Sequence, residues 1–322
     1  MKGNDYLNHY LKYLDQTLKR DIKTVKAYSD DIEEAIRYLF KSDDFIIEDI
    51  SKLTYINLME DWLVPMQDNG LKATSINRKI SSFRGFLNFL MGLRVINYNP
   101  MDSVKPFKDE EKFQRTILSD DELLKLLKFT QSKFDNNKCY MNIRDNLLVN
   151  ILAATGMRIN EVRQININDI NFRTGEFTSI GKRKIKKTLV LNEYVLNIYR
   201  DYLNYRNQCE VKPGHEEALF ISRNGNRPTI KTLENIVLKV TNEANVTKIT
   251  PHSFKSKFIT SMYESGMDLE TIGKITGNKN TQVLYNNYLQ QSEPVKVKEI
   301  MNCNPIYKSL KKNHSELKCD VI

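Results

Sequence analysis

The sequence predicts a mainly α-helical protein with one small β-sheet, divided into two domains. Three observations carry that prediction. Through the first hundred residues, apolar side chains recur at spacings of three and four, the period of a helix buried on one face. Residues 98–117 then lose the period and hold two prolines and mixed charges, the pattern of a linker. Residues 175–191 switch to the alternation of paired strands.

In the first domain, Thr24 is a candidate cap for a helix carrying Val25, Tyr28, Ile32, Ala35, Ile36, Leu39 and Phe40 on one side. A second helix covers Ile56–Met66. A third opens near Thr74, with Ile76, Ile80, Phe83, Phe86, Leu87 and Leu90 inward. Its other face carries Ser75, Arg78, Lys79, Ser82 and Arg84, with Lys72 just ahead. That face reads either as ordinary solvated surface or as hydroxyls and cations suited to phosphate contacts on DNA. On the second reading Lys72, Arg78, Lys79 and Arg84 are DNA-binding candidates. The domains are placed at 1–104 and 117–322, with a linker over 105–116 and a polar tail from about 291.

The second domain opens on a capping box, Ser119 with Glu122. Helices continue to about 170. Within them, Leu147, Leu148, Ile151 and Leu152 mark a buried helix that ends in the small residues Ala153, Ala154, Thr155 and Gly156. A second helical pattern follows at once, so Arg158 lies at a tight junction where the scaffold would hold it. The plain alternative is a surface arginine paired with Glu161 one turn on.

Phe177–Ile180 and Ile185–Leu191 read as strands joined by Gly181, Lys182, Arg183 and Lys184. Five basic residues fall within Lys182–Lys187. They suit a charged sheet edge or an arm that grips a phosphate backbone. Helices resume at 193–208 and 230–244. Thr250, Pro251 and His252 start another, with His252 and Lys255 one turn apart at an end that favours anions. Gly266 ends it and Asp268 caps the next, which stops at Thr276, Gly277 and Asn278. A last helix, Thr281–Gln290, contains Tyr285 and Tyr288.

Composition narrows the class. Hydrophobic residues make up 40% of 322, enough for a core, and charged residues 28%, which suits a soluble protein. No apolar run reaches membrane length, and MKGNDYLNHY is not a signal peptide. Cys139, Cys209, Cys303 and Cys319 lie far apart, which disfavours a zinc site or disulfide framework and fits a cytoplasmic protein. No metal and no cofactor is expected. A net charge of +9 favours a polyanionic partner, most simply nucleic acid.

In order along the chain, these landmarks resemble the tyrosine recombinases, the lambda-integrase family. The stretches TVKAYSDDIEEAIRYL and SINRKISSFRGFLNFL look like segments of its helical, SAM-like core-binding domain. TILSDDELLKLL and RDNLLVNILAATGMRINEVRQININDI look like the start of its mixed α/β catalytic domain. A-T-G-x-R is the most specific motif, and it implies that Arg158 is the first catalytic arginine. The hairpin lysine of the family falls on Lys182, the H-x-x-R box on His252–Lys255, and the L-G-H box on Thr276-Gly277-Asn278. Two positions depart: lysine stands for the second arginine at 255, and asparagine for the histidine at 278. Tyr288 is ten residues past Asn278, at the family's spacing for the nucleophile; Tyr285 is seven past and stays open.

The resemblance implies a site-specific recombinase acting on double-stranded DNA. A tyrosine hydroxyl would attack a phosphodiester, giving a 3′-phosphotyrosyl link and a free 5′-hydroxyl. Arg158 would clamp two phosphate oxygens, Lys182 would protonate the leaving oxygen, and His252 would assist proton transfer. Lys255 and Asn278 would remain as donors. Four protomers would assemble on two sites, and the tail from 291 would dock on a neighbour. No further DNA-binding domain is expected before residue 1. Two alternatives keep the fold: a DNA-binding protein that lost catalysis, and a type IB topoisomerase-like enzyme that relaxes DNA as a monomer. A third is a basic helical protein that binds no DNA.

Overall fold

The computed structural model describes residues 3–108, 118–181, 186–247, 249–278 and 280–285. The chain divides into two compact units, Met1–Gln114 and Arg115–Ile322. Lys182, Arg183, Lys184, Tyr288 and the tail from 291 lie outside the described residues, as does the second half of the predicted last helix.

The first unit holds α1 (Gly3–Lys12), α2 (Ile22–Phe40), the short α3 (Ile47–Ile50), α4 (Val64–Asp68) and α5 (Ala73–Gly92). A π-helical stretch, Asn57–Leu63, runs directly into α4. The predicted inward faces of α2 and α5 form the core: Ile32, Ile36, Ile76, Ile80, Phe83, Phe86, Leu87 and Leu90 are all buried. Trp62 meets Phe83 edge-on, with ring centroids 5.4 Å apart. Removing such side chains from water stabilises the unit by about 1.5–3 kcal/mol each.

Three details differ from the sequence reading. The cap of α2 is Asp21, whose carboxylate accepts from the Lys23 N–H at 2.9 Å, so the helix opens before Thr24. The supposed linker belongs to this unit as far as Phe107. Asn99 accepts from the Met101 N–H, Met101 and Val104 are buried, and Asn77 exchanges two hydrogen bonds of 2.8 Å with the Phe107 backbone. Its period is missing because these residues pack as a 3-10 turn against α5.

The polar face of α5 is the third difference. Ser82 and Lys79 are buried, because Asp31 on α2 lies beneath them. Lys79 pairs with Asp31 and Glu34, and Ser82 Oγ donates to Asp31 at 2.9 Å. Arg84 donates to the Met101 and Val104 carbonyl oxygens. Lys79 and Arg84 thus spend their donors on contacts within the unit. Arg78 also reaches Asp31, at 2.5 Å, but half of its side chain is exposed. Lys72 is exposed just before α5.

The second unit is built around α7 (Tyr140–Thr155), which packs against α6 (Asp120–Asn136) ahead of it. The Ser119 capping box is present at the start of α6. After α7 come α8 (Ile159–Gln164) and an antiparallel pair, β1 (Glu176–Ile180) and β2 (Lys186–Val190), in register from Glu176 opposite Val190 to Ile180 opposite Lys186. Helices α9 (Glu193–Arg206), α10 (Ile230–Glu243) and α11 (Pro251–Glu264) cover α7 on its remaining sides. Then α12 (Leu269–Thr276) packs against α11 and β2, and α13 (Thr281–Leu284) against α12. Asp268 caps α12 by accepting from the Thr271 N–H at 2.9 Å. Among the described residues no helix is long and apolar enough to cross a membrane, and no metal-ligand cluster is found.

Candidate active site

Four elements of the second unit bring charge to one place. The first is the α7–α8 junction. Gly156 closes α7 in the left-handed conformation at φ +59, donating to the Leu152 carbonyl at 3.1 Å. A Cβ there would meet the Phe258 ring at 2.7 Å, so glycine is needed for both conformation and space. Met157 is fully buried, which fixes the next residue, Arg158, at the start of α8.

Arg158 makes the predicted pair with Glu161, Nη1 to Oε1 at 3.1 Å, but this is not a surface pair. Glu161 is buried, and its second oxygen accepts from Lys187 Nζ at 2.7 Å. Burial alone would raise the Glu161 carboxyl. The hydrogen bond and charge of Lys187, with help from Arg158, hold it below the ordinary carboxylate range. Lys187 and Glu161 are site residues that the sequence reading did not single out. Strand alternation held the signal for Lys187: it is two residues before the buried Leu189, so it shares the inward face of β2.

The third element is α11. Lys255 is only 1% exposed, with Nζ donating to the Thr276 carbonyl at 2.9 Å and to Asn278 Oδ1 at 3.4 Å. Burial, then the positive charge of Arg158 and further that of Lys187, lower its pKa from 10.5 to about 7, against the opposing pull of Glu161. His252 lies one turn earlier on the same helix and is exposed, so the two residues differ sharply in burial. It occupies the helix N-terminus, where the positive end of the helix dipole favours an anion.

The fourth element is the end of α12. Gly277 is left-handed at φ +69 and turns the chain so that Asn278 N–H donates to the Gly273 carbonyl at 2.8 Å. Asn278 Oδ1 then accepts from Arg158 Nη2 at 3.0 Å as well as from Lys255. A Cβ on Gly277 would sit 3.9 Å from Arg158 Nη1 and 4.0 Å from Lys187 Nζ, a measure of how closely the cations gather. Beside them opens a cavity of about 660 Å³ between β2 and α12, lined in part by Lys187, Lys274, Gly277 and Thr281.

The structure therefore brings together Arg158, Lys255 and Asn278 of the predicted site and adds Lys187 and Glu161. Arg158, with 41% of its side chain exposed, presents the accessible edge of the cluster. Tyr285 is half-buried against the apolar group of Ile259, Ile272 and Leu284. Such a group can bind and polarise an oxyanion: it has a guanidinium fork, two ammonium groups and an amide, with one buried carboxylate to position them.

Comparison with known proteins identifies the family. The phage integrase family matches residues 116–294, and the N-terminal SAM-like domain of phage integrases matches residues 7–92. The tyrosine recombinase XerD of Oceanobacillus iheyensis is 27% identical over 257 residues, which cover 79% of this chain and 83% of that protein. The Tn1549 transposon integrase, solved in complex with transposon right end DNA, superposes with a TM-score of 0.72 at 18% identity, covering 94% of this chain and all of that one. A lambda integrase tetramer bound to a Holliday junction gives 0.65 at 18% identity, covering 89% and 77%. With a family model matched over more than half of its length, the chain belongs to the phage integrase family and is a tyrosine site-specific recombinase.

Proposed function

We propose that the cationic cluster at Arg158 is the phosphoryl-transfer site, and that the chain cuts and rejoins double-stranded DNA through a tyrosine. The tyrosine oxygen attacks the scissile phosphorus and forms a 3′-phosphotyrosyl bond. The bond to the 5′-oxygen breaks, and that oxygen takes up a proton. Charge grows on the non-bridging oxygens, where Arg158 offers its fork and Lys255 and Asn278 offer single donors. His252 stands at the helix N-terminus for proton transfer to or from the tyrosine or the phosphate. Lys182 supplies the proton to the leaving 5′-oxygen, which departs as a hydroxyl, and Tyr288 is the nucleophile. Tyr285 is assigned to packing, in keeping with its apolar neighbours.

One observation carries this reading: residues from the α7–α8 junction, α11 and the end of α12 converge on a single amide oxygen, Asn278 Oδ1, with two cations bound to it. A DNA-binding protein that had lost catalysis would need no such convergence. The Xer relative and the family match favour a recombinase over a topoisomerase-like monomer. By likeness to the lambda integrase tetramer, four protomers act on two DNA sites. The site of action is the cytoplasm, where chromosomal and element DNA lies in bacteria.

The test is covalent trapping on a nicked half-site taken from the DNA flanking the gene. Wild type should form a protein–DNA adduct, Tyr288→Phe should not, and Tyr285→Phe should keep it. An adduct lost with Tyr285→Phe alone would move the nucleophile. No adduct from a wild-type chain that binds the DNA tightly would favour the binding-protein reading. Relaxation of a plasmid that lacks the site would favour the topoisomerase-like one.

A further inference from the structure

We infer that the Asn278 oxygen positions Lys255 and Arg158, apart from the donor its amide nitrogen offers the phosphate, and that Asn278 and Lys255 are a matched pair, each suited only to the other. The inference rests on the phosphoryl-transfer reading above and goes beyond it by explaining the two departures from the family boxes as one.

The argument begins with lone pairs. An amide oxygen carries two, and here both are used: Arg158 Nη2 donates at 3.0 Å and Lys255 Nζ at 3.4 Å. A neutral imidazole has one acceptor nitrogen with one lone pair, so a histidine at 278 serves one cation and releases the other. Lys255 needs that acceptor more than an arginine would. Its ammonium is a point charge on a flexible stem, and its direction is set by the Thr276 carbonyl and the Asn278 amide. A guanidinium is planar and carries five donors in a fixed fork. It can meet the Thr276 carbonyl with one arm and a phosphate with another, with no side-chain acceptor to aim it.

Space argues the same way. Lys255 is buried in full, between the α7–α8 junction and the end of α12. The larger guanidinium would displace the Asn278 amide from its two donors. An amide oriented with its oxygen toward the cations also turns its nitrogen away from them, leaving an N–H2 donor for the phosphate. The turn that places it is tight: Asn278 N–H donates to the Gly273 carbonyl, and a Cβ on Gly273 would meet the Asn278 carbonyl oxygen at 2.8 Å.

Loss of the Asn278 acceptor also changes the charge state of Lys255. The charged groups acting on its ammonium are Arg158 and Glu161 from the junction and α8 and Lys187 from β2; His252, on its own helix, is exposed. Cations outnumber the one carboxylate, so the neutral amine is already favoured by its surroundings. The Asn278 oxygen supports the protonated form, and removing it lowers the pH at which the proton leaves.

The experiment measures the single-turnover rate of adduct formation on the nicked half-site from pH 6 to 9. The chains are wild type, Asn278→His, Lys255→Arg, the double variant and Asn278→Ala, each checked for folding by thermal melting. Each single change at the pair should slow the adduct about ten- to a hundredfold, the range for one charge-assisted hydrogen bond lost. The double variant should recover to within about threefold of wild type, where independent effects would multiply. Asn278→Ala should move the alkaline limb of the profile to lower pH. Multiplied losses in the double variant, or an alkaline limb that Asn278→Ala leaves in place, would overturn the pairing while the recombinase assignment stood. Should Lys255→Arg fail to fold, the Asn278→Ala profile alone decides. If wild type forms no adduct, the phosphoryl-transfer reading fails and this inference fails with it.

Discussion

Lys255 carries a charge where charge is hard to keep. Its pKa of about 7, against an ordinary 10.5, means that the folded protein sheds a proton that the unfolded chain retains between those values. The unfolded state binds more protons throughout that window, so stability rises with pH from about 7 towards 10.5. Below 7 both states are protonated and burial of the cation opposes folding in full. Catalysis runs the other way, because the phosphate needs the cation. Adduct formation should therefore fall above neutral pH while stability climbs. Urea unfolding of wild type and Lys255→Met across pH 7 to 10 checks the first half: the wild-type curve should rise and the variant's stay flatter. Equal slopes would mean that Lys255 does not titrate there. Glu161 is the counterweight to these cations. Glu161→Gln leaves Lys187 buried without its carboxylate, and breaking a buried pair from one side costs about 3–5 kcal/mol. For a unit of this size that lowers the melting midpoint by about 6–20 °C. A midpoint within a degree of wild type would show that Lys187 finds solvent or another partner. Arg158→Lys keeps the charge but loses the fork. Its expected effect is a drop in adduct rate of about 10²–10³, as for removal of one oxyanion donor, with little change in melting.

At the scale of elements, the site depends on how helices end. Gly156 and Gly277 both take left-handed conformations, and each releases the chain so that the next residues can reach the cluster. Gly156→Ala adds about 1–2 kcal/mol of backbone strain, together with a clash against Phe258. It should lower the melting midpoint by a few degrees and the adduct rate by a larger factor, because the strain lies one residue from the fixed Met157. A rate loss no greater than the stability loss implies would show that Arg158 is placed independently of the turn. These helix ends were legible in the sequence, since a glycine that closes a helical period is a local signal. So were the α5 core face and the Ser119 capping box. The polar face of α5 was not legible. Whether Lys79 meets water or Asp31 depends on a residue 48 positions away on α2. Arg84 was hidden for the same reason, as its acceptors are the carbonyls of Met101 and Val104 in a stretch that shows no period. At the site, motif order identified Arg158, Lys255 and Asn278. It did not identify Lys187, because five basic residues in six positions look alike until strand alternation sorts inward from outward.

For the whole molecule, the excess of positive charge is a statement about association with DNA, and the structure says which cations are available for it. Each phosphate neutralised by a free cation releases a counterion, so the logarithm of the binding constant falls linearly with the logarithm of salt concentration, with a slope near −0.9 per contact. A cation whose own side chain is buried among carboxylates cannot reach a phosphate and releases nothing. In the first unit this distinction falls between neighbours: Arg78 has half of its side chain in solvent, whereas Lys79 is buried between Asp31 and Glu34. Lys72 is exposed one residue before α5. The predicted outcomes separate accordingly. Lys72→Ala and Arg78→Ala should each weaken DNA binding and reduce the magnitude of the slope by about one. Lys79→Met should leave the slope as it is and lower the melting midpoint, because Asp31 and Glu34 lose their shared partner. Binding titrations at several salt concentrations, with melting curves on the same preparations, give both readouts. If Lys79→Met reduced the slope as much as Arg78→Ala did, Lys79 would have to leave Asp31 and reach DNA on binding, and the face of α5 would rearrange in the complex.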